Sequence, residues 1–340
     1  MYSDSCSIVG NERRTILRAL VTGVGGFAGS HLAEYLLGLE GMQVYGVVRP
    51  GGDTRNIAAI LSQMDLHRED LADRHDVRAL IEAVRPDYLF HLAAQASVGR
   101  AWDDPGATLS NNIVIEANLL QALVDLEQRP RVLIVGSSDV YGRVRPEEVP
   151  VSEDVPLRPV NPYAVSKIAQ EYLGYQYYLS HGLHVIRVRP FNHIGPRQGV
   201  GFVVPDFSRQ IALIEAGLQE PLLRVGNLSA QRDFTDVRDM VRAYHLALEH
   251  GRPDRVYNLG SGRGISIRDL LDRLLAQSRV PIQVEADPAR MRPSDVPIIV
   301  ADSRRFQRDT GWAPGCNIDE TLRDVMAYWR ERVQEAGMSA

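Results

Sequence analysis

Ile16-Leu17-Arg18-Ala19-Leu20-Val21 runs directly into Thr22-Gly23-Val24-Gly25-Gly26-Phe27-Ala28-Gly29, and an amphipathic stretch follows through Leu37. The apolar run reads as a buried strand, and the segment after the glycines has helical spacing. Strand, glycine turn and helix thus come in the order that cradles a dinucleotide. Glycines at 23, 26 and 29 permit the tight turn, let backbone N–H groups approach a pyrophosphate, and allow the helix to pack close on the sheet. A phosphate loop of the nucleoside-triphosphatase kind does not fit, because no Gly-Lys-Ser/Thr follows.

Outward from this turn the same alternation continues. Val44–Val48, Tyr88–Leu92, Val132–Val135 and His184–Val188 are short apolar runs separated by helix-like segments. Continuous apolar strands with intervening helices predict a parallel sheet covered on both faces. After Pro190 the pattern breaks into loop-rich sequence, returns at Asp236–Val256 as helix plus strand, and breaks again. The expected fold is therefore α/β: a Rossmann-type doubly wound parallel sheet with a smaller, interleaved C-terminal α/β substrate domain. In numbers, 1–15 reads as an N-terminal extension and 16–190 plus 236–260 as the dinucleotide domain. The second domain takes 191–235 plus 261–330, and 331–340 reads as a tail.

Composition narrows the function. The 340 residues are 44% hydrophobic, enough for a full core. Net charge is −5, with the arginines scattered among 43 acids, so neither nucleic acid nor an anionic membrane is expected as a partner. Cys6 and Cys316 sit near opposite ends without metal-type spacing, which suits a reducing cytoplasm. No apolar run approaches a membrane span or a signal core. His181 and His184 are the closest histidine pair, but they flank a glycine at an expected helix end, so no metal is expected.

Of the 38 basic residues, 37 are arginine and one is lysine. That lysine closes the segment Asn161-Pro-Tyr-Ala-Val-Ser-Lys167. Asn161 suits a helix N-cap and Pro162 the first helical position, so Tyr163 and Lys167 share one helix face. Any helix can carry Tyr and Lys at this spacing, but a lone lysine among so many arginines points to chemistry that needs a compact ammonium. Such an ammonium is expected to lower the pKa of the phenol so that it works as an acid or base near neutrality. Ser137 follows the strand Arg131–Val135, where the ligand-facing edge of a parallel sheet lies, and its hydroxyl could hydrogen-bond a substrate carbonyl. Serines at strand ends are more often turn formers. Where an enzyme using NAD usually carries an acid for the ribose diol, this chain has Val47-Val48-Arg49, with Arg55 nearby. Arginine pairs with a 2′-phosphate that an acid would repel, so NADP(H) is the expected cofactor unless Arg49 merely faces solvent.

Together TGVGGFAG, HLAAQASV, GSSDVYG and NPYAVSK resemble the extended short-chain dehydrogenase/reductases that act on nucleotide sugars. The likeness spans nearly the whole chain. It implies a catalytic set of Ser137, Tyr163 and Lys167, of which Tyr163 and Lys167 also bind the cofactor, Lys167 at the nicotinamide ribose; a cofactor loop of Gly23, Gly26, Phe27 and Gly29; and adenine contacts at Asp65 and Leu66. Leu92, Ala93 and Ala94 would line the cofactor. Arg189-Pro-Phe-Asn-His-Ile-Gly-Pro196, the segment Val225–Asp236 and Met291–Val296 are similar to the branch acting on GDP-sugars, and most like its reductases that form GDP-rhamnose. By that resemblance Asn192 and Arg232 meet the diphosphate, Asn227 and Leu228 border guanine, Arg292 contacts the nucleotide and Asp295 accepts from the ribose. Ser97, Phe202 and Val203 are further implied substrate contacts.

Two departures from the resemblance stand out. Many relatives have Gly-Thr where this chain has Ile115-Glu116 in the helix after Asn112, which leaves the packing there, and a subunit contact on it, open. Dehydratases of the branch are expected to carry glutamate at the position of Asp139, as the base that removes the C5 proton of the sugar. Aspartate is shorter by one bond, about 1.5 Å, which spoils a proton transfer that depends on hydrogen-bond reach. The resemblance then implies NADPH-dependent reduction of the C4 ketone of GDP-4-keto-6-deoxy-D-mannose. The alternatives are the 4,6-dehydratase itself with cofactor retained, and a non-catalytic NADP-binding sensor. It also implies a homodimer, through helices at Asn111–Leu126 and Pro162–Ser180 packed as a four-helix bundle.

Overall fold

A computed structural model describes residues 16–288 and 296–338. Its centre is a seven-stranded parallel sheet in the order β3-β2-β1-β4-β5-β6-β10. The strands are β1 Leu17–Thr22, β2 Met42–Val48, β3 Asp65–Arg68, β4 Tyr88–His91, β5 Arg131–Val135, β6 His184–Pro190 and, after the strands β7 to β9 described below, β10 Val256–Leu259. The helices in chain order are α1 Phe27–Leu37, α2 Arg74–Val84, α3 Val98–Asp103, α4 Pro105–Asp125, α5 Pro162–His181, α6 Val203–Glu215, α7 Val237–His250, α8 Ile267–Leu275, α9 Arg304–Thr310 and α10 Ile318–Met338.

Alternate residues of each strand feed opposite faces of the sheet. Ala19 and Val21 of β1 join Leu133 of β5 in one apolar cluster with Leu32 and Leu36 of α1 and Met240 and Tyr244 of α7. Leu20, Val132 and Ile134 join the other cluster, against Ile81 of α2, Leu119 of α4 and Tyr177 of α5. Both faces being covered is why the strands read as unbroken apolar runs. The exception is β3, whose Asp-Leu-His-Arg sequence is exposed at both ends because it lies at the sheet edge. That strand carries no apolar run, and the sequence did not announce it.

The remaining strands build a second, smaller unit. β9, Gln231–Asp236, pairs with β7, Asn192–Ile194, with β11, Gly264–Ser266, and with β13, Ile298–Ile299, while β8, Leu222–Val225, pairs with β12, Gln283–Ala286. Helices α6, α8 and α10 cover them through Ile211, Leu271 and Met326.

Two expected boundaries need correction. The segment expected as a tail from 331 continues α10, and Val333 is buried there. Within the stretch 261–330 expected to belong wholly to the second unit, Phe306 of α9 and Trp312 are fully packed into the core of the large sheet, because two aromatic rings find more apolar surface there. The N-terminal extension, Cys6, Arg292 and Asp295 lie outside the described residues.

Candidate active site

Strand order reverses between β1 and β4, and in open α/β sheets the crevice outside the carboxyl ends of the strands at that point is where ligands bind. Here β1 delivers the glycine turn and β4 delivers Leu92-Ala93-Ala94. The two are in close contact. Gly23 has φ +72°, and a Cβ on it would lie 2.9 Å from the Ala93 backbone, so both conformation and space require glycine. A Cβ on Gly29 would sit 2.2 Å from the Gly23 carbonyl oxygen. Thr22 ties the pair together: its hydroxyl accepts from the Leu92 and Ala93 N–H groups, each at 3.2 Å. Helix α1 starts at Phe27 with no side-chain cap and no acid in its first turn, so its positive end is left for an anion. Those features fit a dinucleotide pyrophosphate.

Arg49 is exposed one residue beyond β2, on the same edge of the sheet. Arg55 is instead bound to Asp53, with Nη2 at 2.5 Å from Oδ2. The expected adenine contacts are misplaced. Asp65 opens β3 opposite Tyr45, at the far edge of the sheet from the glycine turn, where the Gln43 amide donates to it at 3.4 Å, and Leu66 follows it. What β3 brings to the ligand edge is the segment after Arg68, where Asp70 accepts from the Ala72 N–H at 3.0 Å and Leu71 is buried. The second Asp-Leu pair, Asp70-Leu71, was the signal in the sequence. It was hidden because the polar edge strand gave no register.

Ser137, Tyr163 and Lys167 gather at the end of β5. Asn161 caps α5, its side chain accepting from the Ala164 N–H at 2.7 Å, and this fixes Tyr163 in the first turn. The Ser137 hydroxyl accepts from the Asp139 N–H at 3.1 Å and hydrogen-bonds the Tyr163 phenol. Lys167 is 5% exposed; its ammonium donates to the Val135 carbonyl at 2.9 Å and lies 5.9 Å from the Tyr163 ring centre. Beneath the site, Arg189 grips Glu171 with two bonds of 2.7 Å and donates to the Tyr141 hydroxyl at 2.8 Å. Tyr141 in turn donates to Asn258 at 2.6 Å, so this buried network anchors the turn that carries Ser137 and Asp139.

The expectation of a phenol acidified by lysine is corrected by this geometry. Burial and the Asp139 carboxylate push the Tyr163 pKa well up, and the Ser137 hydrogen bond offsets only part of that. Lys167 is pulled down to about 8 by burial, with the Glu116 carboxylate opposing the fall. The phenol therefore keeps its proton at neutral pH.

Several supporting groups carried no obvious signal. His91 ends β4 with Nδ1 2.9 Å from the Thr22 hydroxyl, and burial, then the Lys167 charge, lowers its pKa to about 3. Asn112 of α4 bonds the Gln95 N–H at 2.7 Å, the Gln95 carbonyl at 3.2 Å and the Ser166 hydroxyl at 2.9 Å, fixing the loop after β4 against α5. Ser97 of that loop caps α3, accepting from the Arg100 N–H at 3.3 Å.

Of the expected substrate contacts, Asn192 and Arg232 lie on the neighbouring strands β7 and β9, with Asn192 opposite Phe234. His193 stacks on Phe27 of the glycine turn, ring centres 5.6 Å apart, which brings the second unit to the mouth of the cleft. Phe202 and Val203 begin α6. The Asn227 side chain accepts from Ser229, and the Leu228 carbonyl from the Arg268 N–H at 3.0 Å. Among the described residues no group of acids, histidines or cysteines is arranged to hold a metal, and no helix is long and apolar enough to cross a membrane.

Comparison with known proteins agrees with this arrangement. The sequence profile of the family described as GDP-mannose 4,6 dehydratase matches residues 20–325. The GDP-6-deoxy-D-mannose reductase of Pseudomonas aeruginosa is 38% identical over 94% of this chain and 99% of its own length. GDP-mannose 4,6 dehydratase 2 of Arabidopsis thaliana is 31% identical over 93% and 88%. Among solved structures, RMD from Pseudomonas aeruginosa complexed with NADPH superposes with a TM-score of 0.82 at 36% identity, covering 93% of this chain and 99% of that one. Glycine turn, serine–tyrosine–lysine cluster and sequence match together place the chain in the GDP-mannose 4,6 dehydratase family.

Proposed function

We propose that the chain is an NADPH-dependent reductase that converts the C4 ketone of GDP-4-keto-6-deoxy-D-mannose into the alcohol of GDP-D-rhamnose. The observation that carries this reading is the gathering of the Tyr163 phenol, the Ser137 hydroxyl and the Lys167 ammonium at the end of β5 beside the glycine turn. Reduction of a ketone creates a strongly basic alkoxide, so the acid beside it must hold its proton until the oxygen becomes basic. A phenol whose pKa is raised does that. Ser137 orients the carbonyl by donating a hydrogen bond to its oxygen, and Tyr163 then gives its proton to the same oxygen. Lys167, charged and anchored on Val135, stabilises the phenolate left behind.

Gly23, Gly26, Phe27 and Gly29 would hold the dinucleotide pyrophosphate, and Leu92, Ala93 and Ala94 would line its path. Arg49 would pair with the 2′-phosphate of the adenosine ribose. Bound there, the reduced nicotinamide supplies the hydride. Asn192 and Arg232 receive the sugar diphosphate, where the fork of arginine suits two phosphate oxygens. Asn227 and Leu228 border the guanine; Ser97, Phe202 and Val203 complete the sugar side. Arg292 and Asp295 belong to the same reading.

The rival is 4,6-dehydration of GDP-mannose, the activity named for the Arabidopsis relative. It needs a base that reaches the C5 proton. Asp139 is one bond too short for that in this reading. Incubation with GDP-mannose, or with its 4-keto-6-deoxy derivative, with and without NADPH, separates the two. The expected result is NADPH-dependent loss of the 4-keto sugar and no change in GDP-mannose; conversion of GDP-mannose without net NADPH consumption overturns the reading.

The enzyme is read as a cytoplasmic homodimer. Val165, Tyr172 and Leu179 recur every seven residues on α5 and are 44%, 56% and 64% exposed, an apolar stripe suited to a partner helix.

A further inference from the structure

Between β7 and α6 the chain passes through Gly195-Pro196-Arg197, and Arg197 adopts φ +71°, left-handed backbone that an arginine enters only at a cost. The surroundings hold it there. A Cβ on Gly195 would lie 2.5 Å from Val237 of α7 and 3.5 Å from the Phe27 ring, so the loop is pressed onto the starts of α7 and α1. His31 of α1, 8% exposed, is then engaged twice: its Nε2 lies 2.9 Å from the Pro196 carbonyl and its Nδ1 2.6 Å from Arg197 Nη2. A neutral ring suits both contacts, with Nε2–H donating to the carbonyl and Nδ1 accepting from the guanidinium; burial, then the Arg197 charge, lowers the His31 pKa to about 4. Arg197 also pairs with Glu34 of α1 at 2.6 Å and donates to the Asn56 carbonyl at 3.1 Å. These bonds account for the strained backbone, which persists only where the surroundings over-determine it.

What the fork grips decides its use. Asn56 belongs to the segment after β2 that also carries Arg49, and its side-chain amide donates to the Gly25 carbonyl at 3.1 Å. That segment lies directly on the glycine turn, since a Cβ on Gly25 would sit 2.3 Å from the Asp53 carbonyl oxygen. Helix α1 presents its uncapped N-terminal turn to the pyrophosphate. One guanidinium from the second unit thus binds two walls of the dinucleotide cleft: α1 through His31 and Glu34, and the segment carrying Arg49 through Asn56. We propose that Arg197 is a positioning residue for the cofactor, reaching across from the substrate-side loop to hold α1, Asn56 and the glycine turn in the arrangement that receives NADPH. Bonds in these divergent directions need the planar fork of arginine, which a single ammonium does not offer.

The proposal rests on the reading of the glycine turn as the NADPH site, and a fluorescence titration of NADPH tests the two separately. Arg197→Ala removes the fork and keeps a Cβ at φ +71°, whereas Arg197→Gly removes the fork and relieves the backbone. Both variants should lose NADPH affinity by about tenfold, with the KM for NADPH rising and kcat at saturating NADPH held within about threefold. The glycine variant should melt at or above the alanine one. Asn56→Ala cuts the next link, and because the links act in series the double variant with Arg197→Ala should lose no more affinity than the weaker-binding single variant. Variants at Arg197 that bind NADPH as wild type does overturn the proposal even where they melt lower, for then Arg197 only stabilises the fold. Additive losses in the double variant overturn the route through Asn56. Wild type that binds no NADPH overturns the reading of the glycine turn, and the proposal with it.

Discussion

Replacing Tyr163 by Phe removes one oxygen from the site, and the structure sets the size of each consequence. The phenol hydrogen-bonds Ser137, which still accepts from the Asp139 N–H at 3.1 Å, so no hydroxyl is stranded by the change. Net loss of one neutral hydrogen bond is about 1 kcal/mol. Thermal unfolding should therefore shift by no more than about 2–4 °C. Binding of NADPH, which depends on the glycine turn and Arg49, should change less than about threefold, under 1 kcal/mol. Turnover loses its acid. Removal of a positioned acid lowers rates by about 10²–10⁴-fold, or about 2.7–5.4 kcal/mol of barrier. The assay follows the absorbance of reduced nicotinamide with the 4-keto sugar, next to a fluorescence titration of NADPH and a melting curve. A variant that melts like wild type, binds NADPH and still turns over within tenfold of wild type refutes the role given to Tyr163.

Gly29→Ala should disable the cofactor loop rather than the chemistry. The added methyl would sit 2.2 Å from a backbone oxygen, so the turn must move; overpacking of this kind costs about 1–3 kcal/mol, and NADPH affinity should fall at least about tenfold in the same titration. Asp236 caps α7 and binds Arg238 at 2.6 Å and the Thr321 hydroxyl at 2.6 Å. Burial pulls its pKa up, but those bonds win and hold it below the ordinary carboxylate value. A depressed carboxylate adds stability that is present above its unfolded pKa of about 4 and is lost as pH falls through the folded value. Asp236→Asn should therefore destabilise the fold by about 2 kcal/mol at pH 7 and by progressively less in acid; equal destabilisation at neutral and strongly acid pH would contradict this.

The correction at Tyr163 changes how the lone lysine is understood. Sequence spacing places Tyr163 and Lys167 on one face of α5, and the structure keeps them there, with the ammonium 5.9 Å from the ring. What spacing does not report is the medium around them. Burial opposes charge on both groups, and Asp139, two residues beyond Ser137, adds its own negative field. The protein thus stores a proton on the phenol. The lysine is then needed once that proton has left.

Local signals were enough for the sheet, the glycine turn and the capped helix of Tyr163 and Lys167, because each is written in neighbours along the chain: apolar alternation, three glycines at short spacing, an Asn-Pro cap. Contacts between distant segments were decided only in three dimensions. The return of Phe306 and Trp312 to the first core, the polar edge strand that carries Asp70 rather than Asp65 to the ligand edge, and the reach of Arg197 to His31 and Asn56 all depend on which surfaces meet after the chain has folded. Backbone conformation and side-chain period are properties of short segments, whereas burial and electrostatic field belong to the assembled interior.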